Sequence, residues 1–528
     1  MNWHKNPHEG SKHGEVNADV DINRKNKIVS IVSLAIFSAI ILIASACVVA
    51  LCLPMPHFVD NPNTPSSGVI SSVGSTRLQT ICPIRLSLPD LTQYGDSEYN
   101  ESEGDLQSSA RYGAFGDVYS SSLRNIRDNN DQSITLNSKS TDDDTSAFIA
   151  NNNVNHDAQV LEGHLSRVGS GTGISASMVS WATKGDVKGL SATTCSMPSM
   201  KQTFLVPESA DGISIRLEAF NAASKSTVVR VRAWSAEHGS NQLNLSTGSA
   251  STVPARSHAY FDLAAASPKT SGLYVQVESE QTPIASFVKV VHMSGLSVKG
   301  VDIVHELSTQ SNTNILSGIS EGDQSKLYVW PNKDGNVTLS WMNDTGSKEV
   351  KNLTLKAHHL QVVDLGKVPE HANALSVSGD VPTQVMMSIT KDGKDNQSDV
   401  AFITPSNVQG SGAIVSPVSA NETALYLSSS SDKDTAVRLQ GFDLNGVLAA
   451  TENVTIPANA SLRIPVSEIS HDAVMFIAKS HSKVSLSARI HKDEIDKAGI
   501  AGISWLSAQS LEPQEMKVYV KTDNHIVQ

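Results

Sequence analysis

The feature that most limits the possible folds is a strand pattern that recurs through the C-terminal part of the chain. Three similar passages begin at Pro254, Lys356 and Pro457, so they are 102 and 101 residues apart. Each passage has an alanine in second place, and two stretches of alternating apolar and polar residues follow it. Alternation with a period of two is typical of β-strands that bury one face. The repeat therefore predicts an all-β body of tandem modules.

A second pattern precedes these passages and gives the modules their predicted form. Alternating stretches that begin at Ile213, Val337 and Thr423 each reach a polar turn containing lysine and then resume. We interpret each as a hairpin with one face in a core, and we expect Leu217 and its counterparts Leu339 and Leu425 to be buried at equivalent positions. Strand pairs of this kind predict immunoglobulin-like β-sandwiches. The predicted modules are 201–300, a shorter one at 301–410, and 411–528.

The region before these modules has a weaker pattern. Residues 77–200 contain alternating stretches and are predicted to be β-rich. Within them, residues 96–156 are crowded with serine, aspartate, asparagine and glutamate. A stretch with so few apolar positions is predicted to be a loop or a disordered insertion.

An apolar run near the N-terminus predicts where the protein resides. No charged residue occurs from Ile28 to Leu53, whereas Arg24, Lys25 and Lys27 stand directly before it and the next lysine or arginine is Arg77. Such a run is long enough to cross a bilayer as a helix, and flanking positive charge stays in the cytoplasm. We therefore expect a cytoplasmic tail (1–27), a single transmembrane helix or signal anchor (28–53), a stalk (54–76) and an extracytoplasmic body.

The processing of this run remains open. The small residues Ala44 to Ala46 could direct cleavage after Ala46, which would release a secreted body. Cys47 could instead become lipidated. The length of the run favours a retained anchor over either alternative, and all three place the body outside the cytoplasm.

The chain has four cysteines, of which Cys47 and Cys52 lie inside the apolar run. Cys82 and Cys195 are the remaining pair, and in an oxidising compartment they are expected to form a disulfide. The alternative is a catalytic thiolate, because Thr193-Thr194-Cys195 is similar to the end of a sortase strand. A reactive thiolate needs a neighbouring base or cation, and the sequence places none convincingly beside Cys195.

From Cys82 to its C-terminus the chain resembles an uncharacterised actinobacterial family of membrane-anchored envelope proteins, a domain of unknown function. The resemblance is carried by Cys82-Pro83, by the GLSATTC segment ending at Cys195, and by the LVPESADGISIRLEAFNAASKSTVVRVRAW stretch from Leu205. Pro207-Glu208 stands where similar sequences have two glycines. The resemblance implies an envelope location and a β-rich body, and it implies no site residue.

No motif in the sequence predicts a catalytic, cofactor or metal site. The GxSxG letters around Ser320 are followed by a strand pattern and not by the helix of a nucleophile elbow. His358 and His359 are adjacent, so on a strand they would point to opposite faces and could not share a metal ion. His305-Glu306 lacks the second histidine of a zincin.

The composition narrows the possible partners. A net charge of −12 argues against nucleic acid, which requires a basic surface. The sequence predicts a non-enzymatic, membrane-anchored extracytoplasmic protein with a structural or binding role in the bacterial cell envelope. A cell-wall polymer and a neighbouring membrane protein are the candidate partners. The alternative is an envelope enzyme, a hydrolase or transglycosylase acting on cell-wall glycan, with an unrecognised site.

Overall fold

A computed structural model describes residues 69–88, 102–128, 133–139, 147–295 and 297–520. The predicted tail (1–27), the predicted transmembrane helix (28–53) and most of the predicted stalk (54–76) lie outside these residues. None of the helices in the described part of the chain is long and apolar enough to cross a bilayer.

The regular secondary structure of the described residues is almost entirely β-strand, and the strands fall into four modules, I to IV. One strand precedes the modules: β1 (Val69–Gly74). Module I contains β2 (Arg77–Cys82), β3 (Gln107–Phe115), β4 (Val118–Asn125), β5 (Ile134–Thr135), β6 (Ala147–Asn152), β7 (Gln159–Leu165), β8 (Gly173–Ala182) and β9 (Gly189–Thr194). Module II contains β10 (Lys201–Val206), β11 (Ile213–Asn221), β12 (Thr227–Ser235), β13 (Ala250–Val253), β14 (Ser257–Asp262), the short helix α1 (Leu263–Ala266), β15 (Leu273–Ser279), β16 (Ala285–Ser294) and β17 (Ser297–Val304).

Modules III and IV have one strand fewer each. Module III contains β18 (Ser311–Ser317), β19 (Gln324–Pro331), β20 (Gly335–Met342), β21 (Ser347–Leu355), β22 (Gln361–Lys367), β23 (Ala374–Asp392) and β24 (Ser398–Ile403). Module IV contains β25 (Asn407–Val415), a 3-10 turn (Ala420–Glu422), β26 (Thr423–Ser428), β27 (Thr435–Phe442), β28 (Leu448–Ile456), β29 (Ser461–Pro465), α2 (Val466–Ile469), β30 (Met475–Ile490), α3 (Asp493–Lys497) and β31 (Ser504–Ser507). The remaining strands are β32 (Gln509–Ser510) and β33 (Glu515–Val520), and β33 pairs with β1.

All four modules have the same antiparallel plan. In modules I and II a first sheet has the strand order 1-6-3-4 and a second sheet has the order 5-2-7-8, counted within the module. In modules III and IV strands 6 and 7 are a single long strand that passes from one sheet to the other. The first part of β23 pairs with β18 and β20, and its second part pairs with β19 and β24. β30 does the same in module IV. Residues 77–200, which were predicted only to be β-rich, thus contain a fourth copy of the module.

The prediction of immunoglobulin-like modules is wrong in its strand order. In an immunoglobulin sandwich the first two strands lie in the same sheet, whereas here they lie in opposite sheets. Two of the predicted hairpins are also wrong, because β11 pairs with β14 and β16 and not with β12, and β26 pairs with β29 and β30 and not with β27. The period-2 pattern correctly shows which side chains of a strand are buried, but it does not show which strand is its partner.

The repeat itself is correct at some positions and shifted at others. Arg256, His358 and Asn459 follow the repeated alanine, and all three have the left-handed backbone, with φ of 51°, 55° and 53°. They occupy the same turn between strands 4 and 5 of modules II, III and IV. Leu217 and Leu425 lie on strand 2 of their modules, but Leu339 lies on strand 3. All three leucines are fully buried, so the burial was predicted correctly and the equivalence of Leu339 was not.

The polar stretch 96–156 was predicted to be a loop or disordered, but its described parts include β3, β4 and β6. The strand β3 is rich in small residues, and Ala110, Tyr112 and Ala114 are completely buried. Arg111 is also buried, and it donates to the carbonyl of Val418 at 3.0 Å. Small side chains and a buried, hydrogen-bonded arginine give a strand that has little apolar character in sequence.

The four modules are arranged around a common axis. The eighth strands, which are edges of the second sheets, contact one another in cyclic order: β9 with β17, β17 with β24, β24 with β31, and β31 with β9. We call these four strands the inner edges. Apolar clusters also join neighbouring modules, as where Tyr274 of module II stacks on Trp330 of module III with ring centroids 4.1 Å apart. The modules therefore form a closed, β-propeller-like arrangement of four-stranded sheets.

Candidate functional site: the axis and its cavity

Two buried aspartates supply hydrogen-bond acceptors to the inner edges. An edge strand has backbone N–H groups without a partner, and burying them without acceptors is costly. Asp302 on β17 and Asp399 on β24 are each 0% exposed and point into the axis. Their carboxyl oxygens accept hydrogen bonds from N–H groups of the surrounding strands.

Asp302 contacts the three other inner edges. Its Oδ1 accepts hydrogen bonds from the Ala192 N–H at 3.2 Å and from the Ser504 hydroxyl at 2.9 Å. Its Oδ2 accepts from the Phe402 N–H at 3.3 Å. Burial raises the pKa of Asp302 well above its usual range, and the nearby Asp399 raises it further.

Asp399 has a similar set of contacts. Its Oδ2 accepts from the N–H groups of Leu190 at 2.9 Å and Ile503 at 3.1 Å, and its Oδ1 accepts from those of Val301 and Val400 at 3.0 Å. Burial raises the pKa of Asp399 to about 8, although these four N–H groups act in the opposite direction. A side chain on one module is thus bonded to all four modules.

The close approach of Asp399 depends on a glycine. Gly189, at the start of β9, has a φ of +140°, and a Cβ placed there would lie 3.0 Å from Asp399 Oδ1. A larger residue would push β9 away from the carboxylate and would also disfavour this backbone conformation.

A cavity of about 560 Å³ lies where the inner edges end. Each inner edge contributes the residues around its C-terminal end, and the lining includes residues 193–197, 305–309, 404–407 and 507–510. We call it the axial cavity. Most of these lining residues carry hydroxyl or amide groups, and Glu306 is the charged residue among those described there. The cavity therefore offers hydrogen bonds in a space large enough for a small polar ligand.

Glu306 is the most chemically versatile group of the axial cavity. Its Oε2 accepts from Gln202 Nε2 at 2.6 Å and from the Ser196 hydroxyl at 3.2 Å. Burial raises the pKa of Glu306 to about 7, although both hydrogen bonds lower it. At neutral pH the carboxyl group is therefore divided between a form that donates and a form that only accepts.

His305 and Ser286 add two polar groups to the cavity wall. His305 is 5% exposed and packs edge-on against Trp505, and burial lowers its pKa to about 4, so the ring is neutral at physiological pH. Its Nδ1 lies 3.4 Å from the hydroxyl of Thr193. The Ser286 hydroxyl is buried and has no hydrogen-bond partner within the described residues. Buried polar groups of this kind usually have partners, so a buried water is expected to supply one.

The arrangement does not match the common catalytic constellations. Glycoside hydrolysis generally needs two carboxyl groups flanking one bond, but Asp302 and Asp399 are closed off from the cavity by their complete burial. Thr193 lies near His305, yet it is 0% exposed and cannot reach a substrate without rearrangement.

The predicted disulfide is confirmed. Cys82 and Cys195 are bonded, with Cα atoms 4.5 Å apart, and both side chains are buried. The bond joins the end of β2 to the residue that follows β9, so it ties the two sheets of module I together at the edge of the axial cavity. The alternative of a catalytic thiolate is incompatible with this bond, because the sulfur has no thiolate form while oxidised.

The other motifs lie apart from the axial cavity. Ser320 is in a turn, where its N–H donates to Asp323 at 2.9 Å, and the chain then enters β19. His358 and His359 lie in a turn and not on a strand, so the argument from opposite strand faces does not apply to them. His305 and Glu306, which were considered only as a zinc motif, both line the axial cavity.

One group of possible metal ligands occurs among the described residues. It consists of His491, Asp493 and Asp496, whose ligand atoms lie within 4.8 Å of one another. The two aspartates are exposed, and such groups are common on surfaces without an ion.

Sequence reasoning missed Asp302, Asp399 and the role of Glu306. A signal was present for the aspartates, because each is a single acid within or beside a run of apolar residues, VDIV and SDVAFI. An acid in such a position is rarely buried without a partner.

Comparison with known proteins gives a family without an assigned function. A model of a family of unknown function, DUF5719, matches residues 149–467. No curated protein matches the sequence. The crystal structure of a glycosyl hydrolase family 2 member from Bacteroides cellulosilyticus DSM 14838 is similar over 58% of this chain and 37% of that chain, with 13% identity and a TM-score of 0.10. A likeness at that TM-score carries no argument about fold or activity.

Proposed function

This chain belongs to the DUF5719 family of unknown function, and from that premise we propose that it is a non-enzymatic, extracytoplasmic binding protein of the bacterial cell envelope. Its N-terminal apolar segment anchors it in the membrane, and its axial cavity binds a small polar part of an envelope component. The disulfide between Cys82 and Cys195 supports an oxidising location, because such bonds persist outside the cytoplasm. The basic residues before Ile28 support an inward N-terminus.

The observation that carries this proposal is the composition of the axial cavity. It brings the carboxyl group of Glu306 together with hydroxyl and amide side chains from the ends of the four inner edges, including Thr309, Asn407 and Ser510. These groups can donate to and accept from hydroxyl and amide groups, as found in the sugars and peptides of a cell wall. Within the described lining residues no second carboxylate completes a hydrolytic pair.

Photo-crosslinking of the full-length protein in intact cells tests the proposal. A p-benzoylphenylalanine replaces Ser510, an exposed residue that lines the axial cavity, and in a matched control it replaces Tyr260, which is 58% exposed on β14. We expect mass spectrometry to find a wall-glycan or wall-peptide adduct at position 510 and not at position 260. Equal labelling at both positions, or adducts only to cytoplasmic molecules, would count against a binding role of this cavity.

The second candidate function is an enzyme acting on cell-wall glycan, and Glu306 is the observation that favours it. A carboxyl group with a pKa of about 7 is poised for general acid catalysis. The two functions differ in what purified wall glycan does in the presence of the full-length protein. An enzyme releases soluble fragments and loses this activity in Glu306→Gln, whereas a binding protein leaves the glycan intact.

A further inference from the structure

A second cavity, which shares Met197 and Gln514 with the axial one, lies between modules I and II. Its volume is about 520 Å³, and three arginines line it: Arg77 on β2, Arg124 on β4 and Arg256 in the left-handed turn before β14. Glu162 on β7 is the acidic residue among the described lining residues. We call it the arginine cavity. Arg77 and Arg124 both bond Glu162, so these three groups carry one positive charge in excess.

Arg77, Arg124 and Glu162 form one network on the first sheet of module I. Glu162 accepts from Arg77 Nη2 at 2.9 Å, from Arg124 Nη2 at 3.3 Å and from Gln79 Nε2 at 3.0 Å. Burial on its own would raise the pKa of Glu162, but these hydrogen bonds and charges lower it overall. Glu162 is therefore ionised at neutral pH, and it compensates for only one of the arginines.

Arg124 is the group in this network whose position is hardest to explain without a ligand. Its side chain is 6% exposed, and its Nε has no hydrogen-bond partner. Its Nη1 reaches three backbone carbonyls only at 3.3 to 3.5 Å. A buried guanidinium without full compensation is unfavourable, and an added anion in the cavity would remove much of that cost.

Arg77 differs from Arg124 in its exposure. Its side chain is 59% exposed, and Nη2 is the atom that bonds Glu162. It can therefore turn further N–H groups toward a ligand in the opening of the cavity. The planar fork of arginine donors matches the oxygens of phosphate and carboxylate groups.

From this geometry we infer that the arginine cavity is a binding site for an oxyanion, a phosphate or carboxylate group carried on a larger polar ligand. The volume exceeds what a single small anion fills, and the apolar wall formed by Leu78, Met197 and Pro198 gives the rest of such a ligand a surface to pack against. The inference does not depend on the function proposed for the axial cavity, because the two sites have different charged groups.

Titration calorimetry of the full-length protein in detergent, at constant ionic strength, tests the inference with three probes: inorganic phosphate, glycerol 3-phosphate and acetate. Phosphate-specific recognition predicts that the two phosphates bind more tightly than acetate, and carboxylate recognition predicts the reverse. We expect Arg77→Gln to weaken the preferred anion about tenfold or more, because a hydrogen bond to a charged group is lost. Arg230→Gln is the matched control, since Arg230 is 54% exposed and pairs with Glu280 on module II.

A second variant tests whether the charge of Glu162 competes with the bound anion. Glu162→Gln removes the negative charge that competes with the ligand but keeps the shape of the side chain, so it should bind the anion more tightly than the wild type. The absence of binding by all three probes, or equal affinities in wild type, Arg77→Gln and Arg230→Gln, would overturn the inference. Because Arg77 is largely exposed, the melting temperature of Arg77→Gln should stay close to that of the wild type.

Discussion

The second sheet of each module has two edges, and the protein protects them in opposite ways. The outer edges, β6, β14, β22 and β29, carry exposed polar or charged side chains such as Asp262, Asp364 and Arg463. The inner edges are buried, and their N–H groups donate to Asp302 and Asp399. Charged residues on exposed edges prevent unwanted pairing with other chains. On the axis, Asp302 and Asp399 point inward and accept hydrogen bonds that join the four modules.

From this difference we infer that the position of an acid in the ring, and not its presence on an edge strand, decides its effect on stability. An aspartate on the outer edge is solvated and contributes little. An aspartate on the axis replaces the acceptors that a neighbouring strand would provide in a continuous sheet. Its removal leaves several buried N–H groups unpaired at once.

Removing one aspartate from each edge of the same sheet tests this difference between the edges most directly. Asp399→Ala leaves the N–H groups of Leu190, Val301 and Ile503 without their acceptor. At about 1 to 3 kcal/mol for each unpaired group, we expect a loss of about 5 kcal/mol in the free energy of unfolding. Urea denaturation followed by tryptophan fluorescence measures this loss.

The matched control is Asp364→Ala on β22, the outer edge of the sheet that contains β24. Its carboxylate is exposed and accepts from the Gly366 N–H at 2.8 Å. We expect a loss of less than about 1 kcal/mol. Similar losses in the two variants would mean that the axial carboxylates do not hold the ring together.

The next largest effect concerns the disulfide, which fixes the end of the inner edge β9. Replacing both Cys82 and Cys195 with serine opens a loop that spans 113 residues. On the chain-entropy model this costs about 4.8 kcal/mol. The melting temperature of the oxidised wild type, compared with that of the double variant, tests this prediction. If reduction of the wild type leaves its melting temperature unchanged, the bond does not stabilise the axis.

The difference between the edges also explains what the sequence could and could not predict. The outer edges and the cores follow the alternation of polar and apolar residues, so the all-β class, the repeated turn at Pro254, Lys356 and Pro457, and the burial of Leu217 were predictable. The disulfide was predictable because Cys82 had one available partner in the body.

The ring was not predictable, because it depends on contacts between strands that are far apart in the chain. Ala192, Asp302 and Ser504 meet at the axis although more than 100 residues separate each from the next. Periodicity reports the burial of a strand but not its sheet or its module, which is why β11 and β12 were wrongly paired. The axial cavity arises from the ends of four such strands, so its residues form no local motif.

The smallest expected effect concerns Glu306. This acid borders the axial cavity, whereas Asp302 and Asp399 are completely buried. The pKa of Glu306 is raised to about 7 in the folded protein from its ordinary value of 4.5. The folded protein therefore binds this proton more tightly than the unfolded chain, and the stability contributed by Glu306 falls as the pH rises from 4.5 through 7. His305 acts in the opposite direction, because its lowered pKa makes stability rise between pH 4 and 6.5.

Comparing the Glu306→Gln variant with the wild type at each pH removes the contribution of His305. We expect Glu306→Gln to gain about 1 kcal/mol on the wild type between pH 4.5 and pH 8, a figure reduced for the partial exposure of the carboxyl group. Urea denaturation at the two pH values measures the gain, and a difference that does not change with pH would show that the cavity leaves Glu306 as well solvated as an acid on the outer edge.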